Sequence, residues 1–330
     1  MALLTTGLTQ GQDIHFSQYN ASPLLLNPAM AGNFNCDFRG GLNYRNQWNS
    51  VASPFVTYSA FFDMPLSMIQ VGEGDVLGAG IALFNDRSGE GTFSNLSATL
   101  SAAYHKSLGD AHRVSLGVGL GFQQKRLETA DLLWGSQWTG DSFDPTAASG
   151  ENFNGNSLGN FNLDVGLMYK GAFLDGDLIL EGGGTIAHLT RQKENFLSTG
   201  GENRLGMRYL GHLRTIYSIN DKFSVMPTFL FQTQSAAQEF VLGSDFGYLL
   251  ESGAFQAQVF LGAHYRLDDA VIPTLGLDYK NFRVGFSYDV TTSSLSDAAS
   301  GVGGFEISLV YRACQLPVIP KEYQMPCPRY

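Results

Sequence analysis

The sequence holds no apolar run of the ~18 residues that a helix needs to cross a bilayer, so a transmembrane helix is excluded. Charge is also scarce: 15% of residues, against roughly 25% in average soluble domains. The charge that exists is mostly acidic, 30 Asp and Glu against 20 Lys and Arg, for a net −10. No basic face is available to neutralise phosphates, which argues against a nucleic-acid partner. There are only three cysteines, Cys36, Cys314 and Cys327, and none has metal-ligand spacing. The six histidines form no HExxH and no metal-spaced pair on one strand. The string Gly182-Gly183-Gly184 lacks the strand, loop and helix of a phosphate site. No metal or cofactor is therefore expected. His188 beside Thr190 or Ser198 could be imagined as a hydrolase pair, but no third member is supplied, so no catalytic residue is assigned.

What is present is alternation. Val114, Leu116, Val118, Leu120 and Phe122 share one face of an extended segment, and Ser115, Gly117, Gly119, Gly121 and Gln123 share the other. In a soluble sandwich that second face would meet water and carry more Lys, Glu and Thr. Small residues suit a crowded barrel interior instead. The same pattern predicts strands over Asp37–Trp48, Phe55–Met64, Asp75–Phe84, Phe93–His105, Val114–Gln123, Leu158–Tyr169 and Leu178–His188. It continues over Leu205–Tyr217, Phe223–Gln232, Phe240–Leu250, Phe255–Tyr265, Val271–Tyr279, Phe282–Val290 and Val302–Tyr311. The expected fold is all-β: a closed, antiparallel, up-and-down transmembrane barrel of about 14 strands. Twelve is the alternative, because Phe240–Leu250 is the least regular. A closed barrel is the structure other than a helix that satisfies its backbone in lipid.

Several strands end on tyrosine before a polar turn, as at Tyr104, Tyr169, Tyr217 and Tyr279. Tyrosine suits a membrane–water interface, with an apolar ring and a wet tip. Tight connections (Ser107–Asp110, Ser218–Asp221, Lys280–Asn281) alternate with long ones (Lys125–Ser157, Leu189–Arg204, Thr291–Gly301). Short periplasmic turns and long extracellular loops would place both termini in the periplasm, with the tyrosines on the periplasmic rim. Residues 1–12 read as a partial signal peptide or a disordered N-terminus, without a positive n-region. Residues 13–35 read as an extended periplasmic segment, 36–313 as the barrel and 314–330 as a periplasmic tail.

Two residue sets stand out. The loop Lys125–Ser157 carries Trp134, Trp138, Asp141 and Phe143, an aromatic and acidic group suited to binding a partner, or to plugging the barrel mouth. The inward-facing charges include Arg39, Arg45, Arg208, Arg214, Arg283 and Glu306, which need partners or water. They make either a network of salt bridges or a substrate path. Closure would bring strand one beside the last strand. Cys36 and Cys314 are then the expected disulfide, with Cys327 as the competing partner.

Four stretches go further: Phe16-Ser-Gln-Tyr19 with Leu26-Asn-Pro-Ala-Met-Ala-Gly32, Phe38-Arg-Gly-Gly-Leu-Asn-Tyr-Arg-Asn-Gln-Trp48, Gly303-Gly-Phe-Glu-Ile-Ser-Leu309 and Cys327-Pro-Arg-Tyr330. With His188-Leu-Thr-Arg191, they resemble the PorP/SprF family of type IX secretion outer-membrane proteins. The resemblance implies a non-enzymatic barrel of the secretion and gliding machinery in the bacterial outer membrane. It also implies partners: the C-terminal region of a large secreted adhesin, and the periplasmic ring components. The reading derived from it is that lumen and extracellular loops grip the adhesin for export or surface attachment. The alternative is a passive porin or small-molecule transporter.

Overall fold

The computed structural model describes residues 13, 15–47, 55–69, 71–88, 93–129, 132–153, 155–196, 203–253, 255–293 and 302–314. The readings of residues 1–12, of Trp48 and Ser198, and of the tail from 315 with Cys327 lie outside them. Period-two alternation becomes fourteen strands. They are β1 (Phe38–Gln47), β2 (Phe55–Pro65), β3 (Val76–Ser88), β4 (Phe93–Ser107), β5 (His112–Leu127), β6 (Ser157–Phe173) and β7 (Leu178–Ala187). The second half comprises β8 (Arg208–Ser218), β9 (Phe223–Gln234), β10 (Ala237–Ser252), β11 (Phe255–Arg266), β12 (Ala270–Tyr279), β13 (Phe282–Thr291) and β14 (Val302–Ala313). Each pairs antiparallel with its chain neighbours, and β1 closes on β14 from Phe38↔Ala313 to Gln47↔Gly304. The segment judged least regular is the 16-residue β10, so the twelve-strand alternative falls.

On β5, Leu116, Val118, Leu120 and Phe122 point outward and are exposed, while Ser115, Gly117, Gly119 and Gly121 point inward and are buried. Such a continuous apolar exterior would be an aggregation surface in water and is the lipid face of a membrane barrel. Aromatics gather at both ends of that face. At one rim, Phe38 packs on Phe62 and Tyr311, Phe223 on Tyr248, and Phe255 on Tyr279. At the other, Tyr44 packs on Tyr58 and Phe305. The first rim carries the tight turns after β4, β6, β8, β10 and β12, and there the closure seam begins with Phe38 opposite Ala313. The second carries the long loops after β5, β7 and β13, although β9–β10 and β11–β12 join there by short turns, with Ser235 and Asp268 at positive φ. A disulfide joins Cys36 to Cys314 at the tight-turn end of the seam.

Residues 15–33 are neither extended nor outside the barrel. They run through its lumen as a chain of short turns: a 3-10 turn at Tyr19–Ala21, helix α1 at Pro23–Leu26 and a second 3-10 turn at Pro28–Met30. The expectation of an extended periplasmic segment here is therefore corrected. The physical reason lies in its apolar residues. Phe16, Tyr19, Leu24, Leu26, Ala29 and Ala31 are all buried, and an extended strand in water would have left them wet. Leu24 and Ala31 pack on Phe61, Ala82, Ala103 and Val310; Tyr19 and Leu26 pack on Leu210, Leu230 and Val241.

Candidate functional site

The luminal segment is the feature to explain, because it occupies the space a channel would use. Its path fixes its direction. Asp13 contacts His188 and donates its N–H to Gln234, both at the long-loop end. Gly32 donates its N–H to Asp63 at the tight-turn end, at 2.9 Å.

Near the long-loop end it is held by charge. Glu306, fully buried on β14, accepts the backbone N–H groups of Ser17 and Gln18 at 2.8 and 3.0 Å. It also accepts from the Asn43 amide at 2.9 Å and the Arg45 guanidinium at 3.2 Å. Asp289 on β13 accepts from Arg45 at 2.9 Å, Arg266 at 3.0 Å and the Ser17 hydroxyl at 2.7 Å. Arg45 and Arg266 both donate in turn to that hydroxyl, at 2.5 and 2.9 Å. His15 lies 3.4 Å from Glu239, whose other contacts include Arg266 at 3.6 Å. Burial pushes the His15 imidazole down, outweighing the attraction of Glu239. Burial would raise the Asp13 carboxyl, but His188, then Arg208 and Lys125, hold it well below the usual carboxylate range.

Nearer the tight-turn end it is held by shape. Gly78, Ala103, Gly117 and Gly166 stand opposite one another on β3, β4, β5 and β6, a row of small residues across the inner wall. The turn at Asn27–Ala31 lies on that row. A side chain at Gly117 would collide with the Ala29 backbone, one at Gly166 with the Asn27 amide, and one at Gly78 with the Ala31 carbonyl. Asn27, fully buried, caps its own turn by accepting the Ala29 N–H at 2.9 Å. Its amide donates to the Leu167 carbonyl at 3.1 Å. The Ala31 carbonyl accepts from His105 at 2.7 Å, which Ser115 braces from its other ring nitrogen.

Three of the quoted sequence stretches therefore meet in space. Phe16–Tyr19 is received by Arg45 of the second stretch and by Glu306 and Ser308 of the third, with Asn43 bracing Glu306, and Leu26–Gly32 lies on the glycine row. A profile of the family described as type IX secretion system membrane protein PorP/SprF matches residues 8–311. The chain belongs to the PorP/SprF family. Among curated proteins, none matches its sequence. Similar solved structures share the fold at low identity. A Pseudomonas aeruginosa FadL homologue is 11% identical, with a TM-score of 0.50 over 87% of this chain and 92% of that one. The TodX monoaromatic hydrocarbon channel, as its deltaS2 mutant, is 12% identical with a TM-score of 0.50 over 89% and 94%. This PorP/SprF chain is thus a closed outer-membrane barrel of fourteen strands.

The other sequence candidates divide. Arg39, Arg45, Arg208, Arg214, Arg283 and Glu306 all face the lumen of this PorP/SprF barrel and take part in ion pairs. Trp134, Trp138, Asp141 and Phe143 are not among them; they belong to the β5–β6 loop. There Trp138 crosses Phe143 edge to face at 5.0 Å, and Trp134 tilts against Phe153 at 5.4 Å. Gln137 ties the loop to itself, accepting from the Trp134 N–H and donating to the Ala147 carbonyl. The His188–Thr190 pair does not form: His188 turns to Asp13, and the Thr190 hydroxyl donates to the Phe161 carbonyl. Sequence reasoning missed Asp63, Glu239 and Arg266. Arg266 follows the predicted strand Phe255–Tyr265 in alternation with His264, and that was the available signal.

Proposed function

We propose that this barrel works by docking proteins rather than by passing solutes. In this reading the tight-turn rim faces the periplasm and the ring components of the type IX machine. The long loops face outward and hold the C-terminal region of a large secreted adhesin, for export or surface attachment. One observation carries the proposal: the lumen is packed along its length by the chain's own residues 15–33, through buried ion pairs and backbone contacts. The grip expected from lumen and loops together then moves to the loops. The β5–β6 loop suits it, with a cavity of about 480 Å³ walled by Leu132, Leu133, Trp134 and Phe153. Between residues 127 and 156 there are five acidic residues and no Lys or Arg, so a partner segment bearing cations fits best. No catalytic step belongs to this reading.

The test is affinity capture from the native envelope, comparing the wild type with Trp134→Ala/Trp138→Ala. The wild type is expected to bring down a large secreted protein, and the double variant to lose it while the barrel stays folded. Capture that is equal with both proteins, or that recovers neither a secreted protein nor a secretion component, would sink the proposal. The porin reading predicts steady conductance from the intact barrel.

A further inference from the structure

Beside the luminal segment, toward the tight-turn mouth, lies a second cavity of about 180 Å³ that nothing above uses. Residues 17–21 form one side of it. Arg39, Arg214, Arg283 and Arg312, from β1, β8, β13 and β14, line the rest together with Phe260 and Asp245.

These guanidiniums are unevenly served. Arg39 has its own carboxylate, holding Asp63 through two hydrogen bonds of 3.0 and 2.8 Å. Arg283 and Arg312 share one, Asp278. Arg214 meets Glu181 only at 3.8 Å, because Lys170 already holds that carboxylate at 2.7 Å. Its one further polar contact among the described residues is the Met226 sulfur at 3.9 Å. Asp245, the remaining acid on the wall, is taken by His264 at 3.2 Å and Thr274 at 2.6 Å. Among the described residues, the four arginines and Lys170 are thus set against four carboxylates, Asp63, Asp278, Glu181 and Asp245. A second observation is independent of charge. Tyr19 is 6% exposed and lines this cavity; among the described residues its hydroxyl completes no geometric hydrogen bond, with the Thr228 side chain within its reach.

We propose that this cavity binds an oxyanion group, a carboxylate or a phosphate, between the Arg214 guanidinium and the Tyr19 hydroxyl. Arginine presents planar paired donors that match either group, and the tyrosine hydroxyl adds a third donor. The Arg283 and Arg312 side chains are 31% and 35% exposed, so the mouth admits a ligand from the tight-turn side. Arg283 also stacks over Phe260 at 4.7 Å, giving an organic anion an apolar wall.

The experiment is thermal unfolding of the full-length barrel in detergent, titrated with sodium phosphate or sodium acetate against sodium chloride at matched ionic strength. A saturable rise in melting midpoint is expected with at least one oxyanion and not with chloride. A response to acetate alone identifies a carboxylate ligand; a response to phosphate alone identifies a phosphate. Arg214→Gln should weaken the apparent affinity tenfold or more. Arg126→Gln, a change in an exposed rim pair, should leave it unchanged. Equal responses to all three salts, or undiminished affinity in Arg214→Gln, would overturn the proposal. Should Arg214→Gln fail to fold, Tyr19→Phe replaces it, and unchanged affinity there counts equally against the site.

Discussion

The two ends of the luminal segment are fastened by different physics. Around Ser17 the fastening is ionic: two carboxylates and two guanidiniums converge on one hydroxyl and two backbone N–H groups. Around Ala29 it is steric: a short turn lies where the wall has no side chains. The ionic end gains strength from low dielectric only while every member keeps its partner. The steric end depends chiefly on volume, and its contact to an ion pair is the single Gly32 N–H bond to Asp63. In the proposed orientation, a protein docking from outside would meet the ionic end first, since it lies toward the long loops. The end that competing charges can loosen is thus the end nearer the proposed partner.

This contrast can be broken from either side. The largest effect should come from Glu306→Ala, which takes one of the two carboxylates from Arg45 and leaves the Ser17 and Gln18 N–H groups without their acceptor. Breaking one partner of a buried pair costs about 3–5 kcal/mol, read from urea unfolding of the detergent-solubilised barrel. The double variant Arg45→Ala/Glu306→Ala should cost less than the sum of the singles, because the stranded charge is gone. Next comes Gly117→Leu, which drives a side chain into the Ala29 backbone. Overpacking of this kind costs about 1–3 kcal/mol. Limited proteolysis should then cut within residues 13–35 while the barrel stays heat-modifiable on gels. Gly211→Ala, where a new methyl meets open space, should change stability by less than about 0.5 kcal/mol.

The contrast also extends to pH. The Asp13 carboxyl titrates lower in the folded protein than unfolded, so its contribution is present above the ordinary carboxylate value and fades as pH falls below it. Asp13→Asn should remove a pH dependence on the order of 1–2 kcal/mol from unfolding curves compared between pH 7 and pH 3. The glycine row has no counterpart to this, and Gly117→Leu should lower stability equally at both pH values.

The strands were legible because lipid outside and a crowded lumen inside impose period two on every segment. Small inward residues such as Gly117 and Gly119 already pointed to crowding. What crowds them was not legible. Residues 13–35 lack period-two alternation, and their polar, proline-bearing character reads equally as an external linker. The ionic end was hidden for a different reason. Ser17 and Glu306 lie 289 positions apart, and only closure of β1 on β14 brings Asn43, Arg45 and Glu306 to one place. The inward charges were recognisable one strand at a time, but their common target was not. The pairing of Cys36 with Cys314 follows from the same closure.

The most direct test of the central claim, that the chain's own segment closes its lumen, is single-channel conductance in planar bilayers. The intact barrel should show no stable open level, and deletion of residues 13–33 ahead of Cys36 should produce one. A steady open channel from the intact protein, or a deletion variant that folds and stays closed, would contradict the account.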